Sequence, residues 1–169
     1  MRRLALMVGF GVTVTALFAA TASAKLTPRE QKWVQPLVKL FNTVDADLRV
    51  VGKQELAPDA LIGQSGKNFV TLSKTLVVLA DCPHAVSAAG SPPTTRLDSF
   101  DAAAKNACVY IEAGALDVAH AIGEIDQGNG PAARTALTSA TTEFSDGSDL
   151  LVVALERLKT VGGVSALES

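Results

Sequence analysis

The stretch 94-TTRLDSFDAAAKNACVYIEAGALDVAHAIGEID-126 decides the fold class of this chain. Leu97, Phe100, Ala104, Cys108, Ile111, Ala115, Val118, Ile122 and Ile125 recur through it at spacings of three and four. That period gathers them on one face of an α-helix, whereas a half-buried strand would alternate every second residue. No stretch beyond residue 24 alternates in that way.

Working outward, Gly128-Asn129-Gly130-Pro131 is a tight turn signal. A fourth helix then runs from Pro131 to about Thr160, with Ala133, Leu137, Ala140, Phe144, Leu151, Leu155, Leu158 and Val161 as its stripe. Gly147 is expected to interrupt its middle and Gly162-Gly163 to stop it. Upstream lies a connector from Pro83 to Pro93. The helix before it is expected from Pro58 to Asp81, or from Ser65 if Gly63 and Gly66 fray its start, on a stripe of Ile62, Phe69, Leu72, Leu76 and Leu79. Cys82-Pro83 should end it, because the residue before a proline avoids the helical region.

The first helix opens with Thr27-Pro28-Arg29-Glu30, where Thr27 and Glu30 can form a capping box and Pro28 is preset for the first turn. Trp33, Leu37, Leu40, Phe41, Val44, Leu48 and Val51 follow as one stripe, ending at Gly52, and Pro36 predicts a kink within it. Four amphipathic helices with short connections predict an all-α fold, an antiparallel up-and-down four-helix bundle spanning residues 25–161, with 162–169 as a loose tail.

Residues 1–24 read as a secretory signal peptide. Arg2 and Arg3 precede an apolar run from Leu4 to Ala20, and Ala22-Ser23-Ala24 offers a small-residue cleavage site. The competing reading, an uncleaved anchor, requires about 20 apolar residues, and Gly9, Gly11, Thr13 and Thr15 loosen this run. Export by the general secretory route would place the protein outside the cytoplasm or in the cell envelope. Cys82 and Cys108 are then most simply a disulfide, against the alternatives of two free thiols or a metal site that lacks supporting ligands. Closing this loop is worth up to about 3.5 kcal/mol. For the two cysteines to meet, the start of the third helix must overshoot the end of the second, and the Pro83–Pro93 connector must run back alongside them.

Loss of Arg2 and Arg3 with the leader would take the formal net charge from −2 to −4. No basic run or aromatic-interleaved basic patch is present, which argues against nucleic acid and anionic membrane surfaces as partners. Stable membrane insertion after cleavage is not expected either.

Catalytic constellations are scarce. No C-x-x-C-H run exists for covalent haem, and both methionines belong to the leader. His84 falls in the connector and His120 is two residues off the core position Val118, so neither suits an axial ligand. Asp117, His120 and Glu124 share one helical face and are the candidate metal ligands, set against the plainer reading of a solvated polar stripe. No serine occupies a G-x-S-x-G elbow, and Gly63-Gln64-Ser65-Gly66-Lys67 lacks the spacing of a phosphate loop. No catalytic residue and no cofactor are expected.

Trp33, Phe41 and Phe69 are the candidate walls of a ligand cavity, with core packing as the alternative, and Tyr110 can border a groove between helices. The core alanines Ala104, Ala115, Ala133 and Ala140 permit close packing. They equally permit a cavity where Phe41, Phe69, Phe100 and Phe144 hold the helices apart.

Gly90-Ser91-Pro92-Pro93, then Arg96-Leu97 and Ala107-Cys108, with the earlier Cys82, resembles small secreted helical proteins of actinobacteria. That group has no assigned activity, and the resemblance covers residues 80–110 and transfers no functional residue. Plant-type invertase and pectin-esterase inhibitors share the general layout, but layout does not fix function. The expected function is a secreted, non-enzymatic bundle that binds another secreted or envelope protein on a helix face or on the disulfide-pinned connector. The alternatives are a carrier of a small apolar ligand in the bundle core and a weak metal-binding protein.

Overall fold

The computed structural model describes residues 25–54, 56–62 and 67–162; the leader expected at 1–24, the fraying expected at Gly63 and Gly66, and residues 163–169 of the expected tail lie outside them. Every regular element among the described residues is helical. They are α1 (Pro28–Gly52), α2 (Pro58–Ile62), α3 (Lys67–Ala80), α4 (Cys82–Ala88), a 3₁₀ turn (Thr95–Leu97), α5 (Asp98–Asp126) and α6 (Gly130–Gly162).

The described residues therefore make six α-helices where the sequence predicts four. The expected second helix is represented by α2 and α3, with residues 63–66 between them. The connector differs more. Pro83 opens α4 instead of ending helical structure, because a first-turn proline gives up an N–H that has no helical partner. The break falls at Asp81, where the axis bends by 42°. The non-helical return is thereby reduced to about residues 89–94, and His84 sits on α4 instead of in a loop.

α5 is central and touches α6, α3, α4 and α2. The expected face from Leu97 to Val118 is buried, but Ala103, Ala107, Gly114 and Ala121 are buried as well. One stripe serves one neighbour; a helix with neighbours on several sides needs small residues outside that stripe. Gly128, at φ +75°, turns the chain between α5 and α6 in a conformation that costs glycine little. Its N–H and that of Asn129 bond back to the carbonyls of Ile125 and Glu124, closing the end of α5. The Asn129 side chain then accepts from the Ala132 N–H at the start of α6 (3.4 Å).

α5 and α6 run in opposite directions as a hairpin: Arg157 of α6 donates to the Ser99 carbonyl (2.7 Å), and Gly147 and Phe144 face Ile111 and Gly114. Gly147 does not interrupt α6, which continues through it, buried. A Cβ at this position would lie 2.7 Å from Ile111 Cγ1 and 3.2 Å from the Ala107 carbonyl oxygen. The missing side chain is what lets the two helices approach.

α1 likewise continues through Pro36. Pro36 and Lys32 are both exposed, the side of a helix on which a carbonyl that loses its helical donor costs least. Phe69 is 39% exposed and does not join the buried row of Leu72, Leu76 and Leu79. That row covers one narrow side of α3 and leaves Val70 and Val77 outside. Among the described residues no single helix is long and apolar enough to cross a membrane, although the bent pair α3–α4 passes on length and composition together. Leu72, Leu79, Cys82 and Val86 of that pair are fully buried in the core.

Candidate functional site at the Trp33 groove

The surface around Trp33 is built from the start of α1 and from the segment that follows α4. Thr27 caps α1 as the sequence predicts. Its hydroxyl accepts from the Glu30 N–H (3.4 Å), and its own N–H donates to Glu30 Oε2 (2.8 Å). Glu30 does much more than complete this box. It is only 1% exposed, and Arg96 grips it with two nitrogens, Nε on Oε1 (2.7 Å) and Nη2 on Oε2 (2.5 Å). The Thr94 hydroxyl adds a further bond to Oε1 (2.5 Å).

The Arg96 guanidinium holds the Glu30 carboxyl well below the usual carboxylate range; burial opposes this, and Thr94 and Thr27 reinforce it. The same contact raises Arg96. A buried carboxylate is tolerable only when its oxygens are satisfied in this manner. The result ties the first turn of α1 to the turn that leads into α5.

A second tie lies beside it. The Trp33 Nε1–H donates to the Gly90 carbonyl (3.3 Å), and the Trp33 ring stands edge-on to Phe100, 5.9 Å between centroids. Gly90, at φ +71°, reverses the chain after α4 and hands it to Ser91-Pro92-Pro93. Between this segment and α1 lies an open groove of about 480 Å³. One wall is Arg29, Lys32 and Pro36 of α1, the other is Ala89, Ser91, Pro92 and Pro93, and Trp33 lies between them. Upstream of the groove wall, Cys82 at the start of α4 is bonded to Cys108 of α5 (S–S 2.03 Å, Cα–Cα 5.1 Å), the pairing expected from the sequence.

The three aromatic residues expected to line one cavity are separated. Trp33 borders the groove, Phe41 is buried against Phe100 with 6.0 Å between centroids, and Phe69 is at the surface. A smaller, partly open pocket lies elsewhere, about 70 Å³ between the end of α1, Leu56 and α6, with Leu48, Val51 and Phe144 among its walls. Tyr110 is 42% exposed on α5.

Asp117, His120 and Glu124 do not converge. His120 Nε2 is 3.7 Å from Glu124 Oε1, while Glu124 Oε2 accepts from the Asn129 side chain (2.6 Å). Asp117 instead acts on Glu143 of α6, whose carboxyl is pushed up by burial and then by Asp117 and Asp146. The trio shares a helix face, but its donors have partners in two directions. Among the described residues no group of three His, Cys, Asp or Glu is placed to hold a metal ion. His84 pairs loosely with Asp81 (3.4 Å) in solvent.

Sequence reasoning missed Arg96, Thr94 and the pairing of Arg29 and Lys32 with the prolines. Arg29, Lys32, Trp33 and Pro36 do fall on one helical face, so half of the groove was readable. The opposite wall arrives from a segment about 60 residues away and carries no periodic signal. Compared with known proteins, the chain matches no protein family, no curated protein and no solved structure.

Proposed function

We propose that this is a secreted, non-enzymatic helical protein that acts at or outside the cell envelope by binding another secreted or envelope protein, and that it docks through the Trp33 groove. The observation that carries this reading is the groove: open, about 480 Å³, and lined by Trp33 and three prolines as well as Arg29 and Lys32. Prolines, a tryptophan tied at both its N–H and its ring, and a segment anchored through Arg96 leave little to order on binding. Preorganisation of this kind lowers the cost of association. Trp and Arg are also the residue types that most often anchor interfaces.

Export rests on the leader-like residues 1–24, and the Cys82–Cys108 bond is compatible with an oxidising compartment. The bundle topology is part of the same proposal. α1, α3, α5 and α6 serve as four antiparallel members, with α2 and α4 as short additions, and the α5–α6 hairpin supports this arrangement. The carrier reading is less favoured, because the 70 Å³ pocket is far below the roughly 300 Å³ of a small-ligand site.

The test is site-specific photo-cross-linking of the protein expressed in its own source. A cross-linker at Ser91, in the groove wall, should yield a discrete protein adduct, and one at Val109, exposed on α5 outside the groove, should not. An adduct from Val109 alone would refute the groove as the docking site. A small-molecule mass retained in the native mass spectrum of Lys25–Ser169 and lost on denaturation would replace the reading with a carrier.

A further inference from the structure

The charge of the groove points to what enters it. Arg29 and Lys32 project from one face of α1, and among the described residues neither is paired with a carboxylate. The nearest acid in sequence, Glu30, turns inward and is saturated by Arg96, Thr94 and Thr27. Two uncompensated cations thus flank a tryptophan on a chain of net charge −2.

The chemistry of the walls narrows the ligand. Pro92 and Pro93 have no N–H, so this wall offers few backbone donors for a ladder to an added strand. The groove offers flat apolar faces and two charged ends, which recognise side chains. Arg29 to Pro36 spans about 10 Å along the helix axis. Three or four residues of extended chain cover the same distance at about 3.3 Å each, with successive side chains pointing to opposite sides. Such a chain can set acidic side chains toward Arg29 and Lys32 and apolar ones on Trp33 and the prolines.

We infer that the groove binds an acidic, extended peptide segment of the partner protein, with Arg29 and Lys32 holding its carboxylates and Trp33, Pro92 and Pro93 its apolar side chains. This rests on the docking reading above and names the partner's chemistry. Among the described residues two cations line the groove, too few for a sheet of phosphates, which separates this site from a membrane or nucleic-acid surface.

Trp33 is the only tryptophan in the chain, so its emission reports the groove directly. The probe is a fluorescein-labelled peptide, Gly-Glu-Leu-Pro-Glu-Leu-Pro-Glu-Gly, compared with versions carrying Gln or Lys in place of Glu. Binding is read by the change in Trp33 emission and by fluorescein anisotropy. The Glu peptide should bind about tenfold more tightly than the Gln peptide, and the Lys peptide should not bind. The double variant Arg29→Ser, Lys32→Ser should lose that tenfold preference while its circular dichroism is unchanged. About 0.5 M salt should erode it in the parent protein, because the charges are exposed.

Equal affinity for Glu and Gln peptides, or a preference that survives in the double variant, overturns the inference. So does displacement of the peptide by inorganic phosphate or phosphatidylglycerol vesicles at matched charge. The two proposals fail separately: a protein adduct at Ser91 without Glu preference removes the acidic peptide but keeps the docking site. Loss of the Ser91 adduct removes the docking site whatever the peptides do.

Discussion

Gly147 and Gly123 both lie within long helices, and helix propensity alone gives Gly→Ala the same sign at each, a gain of about 1 kcal/mol. The packing separates them. At Gly123 an added Cβ meets nothing within 4 Å, so the propensity gain should be realised. At Gly147 the Cβ would stand 2.7 Å from Ile111 Cγ1, with the Ala107 oxygen at 3.2 Å and the Ile111 nitrogen at 3.3 Å. Ile111 is fully buried and two of these atoms are backbone, so no flexible side chain can swing aside. Relief requires α5 and α6 to separate along their shared face. Overpacking of this kind costs about 2–3 kcal/mol, which exceeds the propensity gain and leaves a net loss of about 1–2 kcal/mol. Thermal unfolding of the oxidised protein, followed by circular dichroism at 222 nm, reads the difference. At about 4 °C per kcal/mol for a chain of this size, Gly147→Ala should lower Tm by about 4–8 °C and Gly123→Ala should raise it by about 4 °C. If Gly147→Ala stabilises the protein as Gly123→Ala does, the close approach of α5 to α6 is wrong.

The remaining expectations concern charge and the disulfide. Glu30→Gln should cost about 3 kcal/mol, the low end for a broken buried pair because Arg96 is 35% exposed and can rehydrate. Because the folded-state pKa of Glu30 is lowered, its contribution is present above the unfolded carboxylate value and is lost as pH falls; urea titrations of Glu30→Gln should therefore show a shallower acid loss of stability than the parent. Glu143 has the opposite sign. Its raised pKa gives a contribution that is present at acid pH and lost as pH rises, so Glu143→Gln should raise Tm at pH 7 and leave it unchanged below about pH 4. Replacing both Cys82 and Cys108 by Ala opens a loop of 26-residue separation and should cost about 3.5 kcal/mol, measured as a fall in urea midpoint with a steeper slope, because the unfolded chain expands once the loop is open.

The parts legible in the sequence were those that one segment carries within itself. The stripe from Leu97 to Val118 specifies a helix whoever its neighbours are, since a 3.6-residue period arises from local backbone geometry. Thr27 and Glu30 declare a helix start through contacts three residues apart, and two cysteines leave one pairing within the chain. The spacing of Phe69 fits the stripe of α3 and predicts burial, but the width of that stripe depends on what covers it, and Phe69 is exposed. Cys82-Pro83 predicts a stop although the same proline serves as a start, and which role applies depends on whether the chain after it has a surface to pack on; α5 supplies that surface to α4. The roles of Gly147, Glu30 and the Trp33 groove were invisible for one shared reason. Each is decided by an atom from a distant segment: the side chain of Ile111, the guanidinium of Arg96, and the prolines at 92 and 93. By itself the sequence determined that the chain is helical, one inward stripe of its long helices and which cysteines can meet. Only the tertiary structure decided which faces come together, because burial, close approach and charge pairing belong to pairs of segments and not to either one alone.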